Sequence, residues 1–152
     1  MMSGWDEGAA RSLLQAHLAG EGQLLPALHA LVEHFGYVDD RAMNLLAEAF
    51  DLSRADVVGV VSFYTDFRRT PPGRHVVKIC RAEACQASGV EALVATLEDD
   101  LATAMDTTSN DGGVTLETVY CLGNCALGPA VLIDGKLYGR ATADAVRRRV
   151  AS

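Results

Sequence analysis

Basic patches, long apolar runs, aromatic residues and cysteines are all scarce in this chain. Of its 152 residues, 13 are Lys or Arg against 20 Asp or Glu, so the net charge is −7. A chain that binds nucleic acid needs a stripe of cations to set against phosphates, and none is present. The densest basic run, Arg147, Arg148 and Arg149, closes a predicted helix, where cations suit the helix dipole and face solvent. No apolar stretch reaches the roughly 18–20 residues that a membrane-spanning helix requires. Residues 1–10 contain acids and lack the apolar core of a signal peptide. Neither membrane nor secretion is therefore expected, and the chain is placed in the cytoplasm. With four cysteines, in a reducing compartment, a disulfide framework is not expected either. No nucleophile motif, phosphate-binding glycine loop or dinucleotide fingerprint occurs, so substrate chemistry is not assigned to this chain alone.

What is abundant is apolar residues, at 49%, enough for a packed core rather than disorder. They divide the chain into two regions, residues 1–70 and 74–152, separated by Thr70-Pro71-Pro72-Gly73, a run that stops regular structure. The first region reads as a helical bundle. Ala10, Leu13, Leu14, His17 and Leu18 share one helix face, as do Leu24, Leu28, Leu31, Val32 and Phe35. Pro26 falls in a first turn and Gly36 ends that helix. Ala42, Leu45, Leu46, Ala49 and Phe50 mark a third helix capped by Asp39 or Asp40. Ser53 with Asp56 caps a fourth, despite the β-branched residues at 57–61. The second region reads as mixed: strands at 75–79 and 114–120, a helix at 88–101, a hairpin of 130–133 and 136–138 about Asp134-Gly135, and a closing helix at 142–150. Written as β-α-β-β-α, this is the skeleton of a thioredoxin-like domain. The fold class is α+β, a helical bundle followed by a thioredoxin-like domain.

The chemistry lies in the cysteines. Cys80-x4-Cys85 is followed, after 35 residues, by Cys121-x3-Cys125. Each pair begins directly after a predicted strand, so neighbouring strands ending together would bring four thiolates to one spot. Four soft sulfur ligands suit zinc or an iron–sulfur cluster. Both gaps lie within the zinc range, so spacing alone leaves zinc open; the missing C-x2-C knuckle favours the cluster. A thioredoxin-type dithiol would need C-x-x-C. The glycine-rich second loop, residues 121–129, lets backbone N–H groups approach an anionic centre, with Leu122, Ala126 and Leu127 expected to restrict water. In the first loop Arg81 either offsets the charge of a cluster or is solvated, and the solvated reading is preferred for it and for Glu83. His17, His29 and His34 are read as surface or packing residues. Phe63, Tyr64 and Phe67 are read as packing between the regions.

At these residues the sequence resembles the thioredoxin-like [2Fe–2S] subunit of respiratory complex I and its relatives in NAD-reducing hydrogenases and NAD-dependent formate dehydrogenases. Residues 60–67, 72–80 and 121–130 carry the resemblance. It implies that Cys80, Cys85, Cys121 and Cys125 ligate a [2Fe–2S] cluster, and that the chain docks on a partner that holds FMN and binds NAD. The first loop, Arg81-Ala82-Glu83-Ala84, departs from the Gly-Thr type of complex I. It looks more like that of the gamma subunit of molybdenum-containing, NAD-dependent formate dehydrogenase. That likeness implies a molybdenum-containing catalytic subunit in the same complex. A zinc-stabilised interaction module and a free ferredoxin are the alternatives.

Overall fold

The computed structural model describes residues 4–18 and 23–151 of the chain; the first three residues of the N-terminal stretch considered above lie outside them. The chain forms two compact units, residues 1–71 and 72–152.

The first unit is helical. Helix α1 spans Glu7–Gln15, α2 Leu24–Phe35, α3 Asp40–Phe50 and α4 Arg54–Phe63. Side-chain caps set three of the starts: Asp6 accepts from the Ala9 N–H, Asp39 from the Arg41 N–H, and Ser53 from the Asp56 N–H. The last is a full capping box, since the Asp56 carboxylate also accepts from the Ser53 N–H. That box helps explain how a run as β-branched as residues 57–61 becomes a helix, its buried Val57 and Val61 packed into the core. Gly36 ends α2 in a left-handed conformation. Helix α1 stops at Gln15, short of the stripe that ran to Leu18, and Leu18 is exposed. The core of this unit is Leu28, Leu31, Phe35, Val38, Met43, Leu46 and Val57, all buried.

The second unit is a four-stranded sheet with three helices. Strand β1 is His75–Cys80, β2 Val114–Val119, β3 Val131–Ile133 and β4 Lys136–Tyr138, in the spatial order β2-β1-β3-β4. Strand β1 pairs parallel with β2 and antiparallel with β3, and β3 turns directly into β4. Asp134 and Gly135 both have positive φ, the geometry a two-residue hairpin demands. Helices α5 (Glu83–Ala87) and α6 (Val90–Leu101) lie between β1 and β2, and α7 (Ala143–Val150), capped by Thr142, closes the chain. The observed order is thus βααβββα: the four strands and two of the helices are those read from sequence, and one helix is added. The extra helix, α5, lies in the first cysteine loop. It is only 5 residues long, too short for a periodic pattern to register. Val77, Ile79, Val90, Leu97 and Leu116 are fully buried in the core of this unit.

Candidate metal centre

Strands β1 and β2 run parallel and in register, Cys80 opposite Val119. Their C-terminal ends therefore lie side by side, and the loops that leave them carry all four cysteines. Cys80 is the last residue of β1 and its N–H donates to the Ala130 carbonyl at 3.0 Å. Cys85 is carried on α5, whose turn folds it back into the core; both Cys80 and Cys85 are buried. Cys121 and Cys125 are exposed. Their sulfurs stand 3.9 Å apart, close to the separation of about 3.8 Å for two sulfurs bound at about 2.3 Å to one tetrahedral metal.

The two pairs meet. The Cys80 sulfur accepts from the backbone N–H groups of Ala82, in its own loop, and of Leu122 and Cys121, in the other. The Cys85 thiol is its electrostatic neighbour. Burial works against a Cys80 thiolate, but these donors together outweigh it and hold its pKa below the ordinary thiol value. Burial pushes the Cys85 pKa up; the Ala130 N–H offsets this only in part, and Cys80 and Cys125 add to it. The Cys125 pKa is raised chiefly by its contact with the Cys121 thiol. Neighbouring thiols that resist ionising together are what a cationic metal centre relieves, since coordination deprotonates the ligand.

Backbone conformation shapes the second loop. Cys121 and Gly123 both have positive φ, +79° and +75°. For a non-glycine residue that conformation costs about 1–3 kcal/mol, and here it turns two successive N–H groups toward Cys80. The 3₁₀ turn Cys125–Leu127 packs against α5. Gly128 follows, and a Cβ there would meet Ser88 Oγ at 2.8 Å. Ser88 itself donates to the Ala84 carbonyl at 2.7 Å. The two cysteine loops are thus in direct contact at their backs. Leu122 is half-buried against the core, whereas Leu127 is 41% exposed, so the shielding expected of Leu127 is not seen in the isolated chain.

Around the site, one expectation changes. Arg81 is not merely solvated: its guanidinium forms a two-pronged ion pair with Glu91. Of the acids at the end of α6, Glu98 accepts from the Met105 N–H and Asp100 pairs with Arg147. Glu83 is exposed, as read. His29 packs edge-on against Phe67, and His34 against Phe35. Phe67 is buried in the core of the helical unit, while Phe63 is 78% exposed. His75 bonds Asp134 at 2.7 Å, at the end of β1 away from Cys80.

Fold and site together define a class: a thioredoxin-like α+β domain that presents four thiols, ringed by backbone N–H groups, at one end of its sheet. Such a donor set fits an iron–sulfur cluster, whose negative charge needs N–H groups aimed at sulfur. Comparison with known proteins narrows the class. The model of the thioredoxin-like [2Fe–2S] ferredoxin family matches residues 10–152, and the chain belongs to that family. Its cofactor is a [2Fe–2S] cluster. The chain is 33% identical over 131 residues to the HndA subunit of the NADP-reducing hydrogenase of Solidesulfovibrio fructosivorans, covering 86% of this chain and 77% of that one. It is 34% identical over 124 residues to a subunit of the NADH-quinone oxidoreductase of Pseudomonas aeruginosa, covering 82% and 75%. Among solved structures, an NAD⁺-reducing [NiFe]-hydrogenase in the air-oxidized state matches with a TM-score of 0.72 and 27% identity. That match covers 84% of this chain but only 22% of the hydrogenase chain.

Proposed function

We propose that Cys80, Cys85, Cys121 and Cys125 hold the [2Fe–2S] cluster, two cysteines to each iron, in an electron-transfer subunit of an NAD-linked oxidoreductase. The observation that carries this is the parallel, in-register pairing of β1 with β2, which brings both cysteine loops to one end of the sheet, where N–H groups of both loops favour a thiolate at Cys80. When bound, the cluster supplies a carrier for single electrons. This chain's residues do the rest. The N–H groups of Ala82, Cys121, Leu122 and Ala130 offset negative charge on the inner sulfurs. The apolar core around Val77, Ile79 and Val90 keeps water from that side, and the exposed Cys121 and Cys125 face outward.

The partner in this reading is a flavoprotein subunit that holds FMN and binds NAD, and exchanges electrons with the cluster. The names of the relatives support it: a hydrogenase that reduces NADP and an oxidoreductase that uses NADH. For the parent complex, the Arg81-Ala82-Glu83-Ala84 loop favours an NAD-dependent formate dehydrogenase with a molybdenum-containing catalytic subunit. The relatives' names favour a hydrogenase or a complex I-type enzyme. The site of action is the cytoplasm; among the described residues no helix is long and apolar enough to cross a membrane.

Two experiments test this. Each cysteine changed singly to Ser, with iron, sulfide and visible absorption measured, should lose or alter the cluster at all four positions; one position with no effect would remove that residue from the ligand set. Purification of the native complex, with its subunits identified by mass spectrometry and its metals measured, should yield a flavoprotein plus a molybdenum subunit. A nickel-containing subunit in its place would move the chain to a hydrogenase, and a lone chain would make it a free ferredoxin.

A further inference from the structure

Arg81 follows Cys80 directly, and its main chain is held from both sides of the site. Its N–H donates to the Val119 carbonyl at 2.8 Å, two residues before Cys121, and its carbonyl accepts from the Gln86 side chain at 2.8 Å, beside Cys85. Its side chain is tied as firmly. Nε donates to Glu91 Oε1 at 3.0 Å and Nη2 to Oε2 at 2.6 Å, a fork-to-fork pair. Glu91 lies in the first turn of α6, so the pair spans α5 and closes the turn that carries Cys85. Asp106 and Tyr120 also lie within electrostatic range of the guanidinium. Asp106, however, is already engaged by the Thr118 N–H at 2.7 Å and its hydroxyl at 3.1 Å.

We propose that Arg81 and Glu91 act as a charge clamp that sets the reduction potential of the bound cluster, Arg81 being a positioning residue whose cation Glu91 holds largely neutralised. The inference rests on the cysteine assignment above. A [2Fe–2S] centre with four thiolates carries roughly −2 when oxidised and −3 when reduced. An uncompensated cation within a Debye length, about 8–10 Å, favours the extra electron, and an uncompensated carboxylate opposes it. Placed one residue from a ligand and a third exposed, the Arg81 charge is only partly screened. Its paired state therefore matters to the site more than an ordinary surface ion pair would, whose worth to stability is about 0–1 kcal/mol.

The test is a redox titration of the full chain with dithionite and mediators at low salt, followed by the EPR signal of the reduced cluster, with iron and sulfide per chain measured alongside. Glu91→Gln frees the cation and should raise the potential. Arg81→Gln frees the carboxylate and should lower it. Each shift should change the reduction equilibrium by about threefold to tenfold, tenfold being about 59 mV for one electron. The double variant should return to within about twofold of wild type, and Arg81→Lys, which keeps the charge, should stay nearer to it than Arg81→Gln does. Equal potentials, or shifts of one sign in a chain with full iron content, would overturn the clamp and leave the cluster assignment standing. Loss of the cluster in both Glu91→Gln and Arg81→Lys would overturn it in favour of a purely structural pair. A wild-type chain without iron and sulfide would overturn the cluster assignment itself, and the clamp with it.

Discussion

Cys80 and Cys85 are held by a strand end and a helical turn inside the apolar core, whereas Cys121 and Cys125 lie on an exposed loop shaped by left-handed backbone. The first pair depends on side-chain packing, and the second on where the main chain can go. The helical unit, with its own core and its own caps, contains no cysteine and serves as the control region. Substitutions that strike packing, backbone and caps in turn should separate these three contributions.

The largest effect on stability is expected at Ile79, fully buried next to Cys80. Ile79→Ala should cost the second unit about 2–5 kcal/mol, read by urea unfolding, with the cluster lost in the same transition. Separate transitions would mean that the first pair does not depend on the core. Next comes Gly139, where a Cβ would sit 2.7 Å from Leu127 Cβ and 2.8 Å from the Leu127 carbonyl oxygen and Asn124 Nδ2. Gly139→Ala should push the second loop outward, at about 1–3 kcal/mol, and reduce iron per chain. Gly73→Ala strikes the Val114 backbone at 2.8 Å instead, at the far end of the sheet. It should destabilise the unit while leaving iron binding in the folded fraction unchanged. Equal loss of iron in both would remove the special role of the second loop.

Two smaller effects belong to the helical unit. Arg41, through its side chain and N–H, and the Tyr37 hydroxyl all donate to the Asp39 carboxylate. Led by the Arg41 side chain, these bonds lower its pKa from 3.8 to about 2. A carboxylate depressed on folding stabilises the folded state above its unfolded pKa, and that contribution fades as pH falls from about 4 toward about 2. Asp39→Asn should flatten this acid limb in unfolding experiments run from pH 5 to 2; an unchanged limb would remove Asp39 as its cause. Ser53→Ala opens the capping box of α4 and should cost about 1 kcal/mol, measured by thermal unfolding. Neither substitution should change iron content, and a loss in either would show that the helical unit supports the cluster.

These contrasts also explain what could be read in advance. The four helices and the hairpin were legible because caps, periodic apolar faces and turn residues are local signals. That the two cysteine loops leave neighbouring strand ends was legible because each cysteine pair begins where an apolar strand stops. Helix α5 was not, being a single short turn in a loop without a periodic face. The left-handed conformation of Cys121 carried no signal, because a cysteine does not announce positive φ as a glycine does. The Arg81–Glu91 pair joins residues ten apart, from the end of β1 across α5 to the first turn of α6. It follows the i, i+4 spacing of no single helix, so only the folded turn reveals it.

Metal and sulfide analysis of the oxygen-protected chain tests the central claim most directly. The account predicts about two irons and two acid-labile sulfides per chain, with a brown colour lost when either Cys80 or Cys121 is replaced. A colourless chain with about one zinc and no sulfide would contradict it.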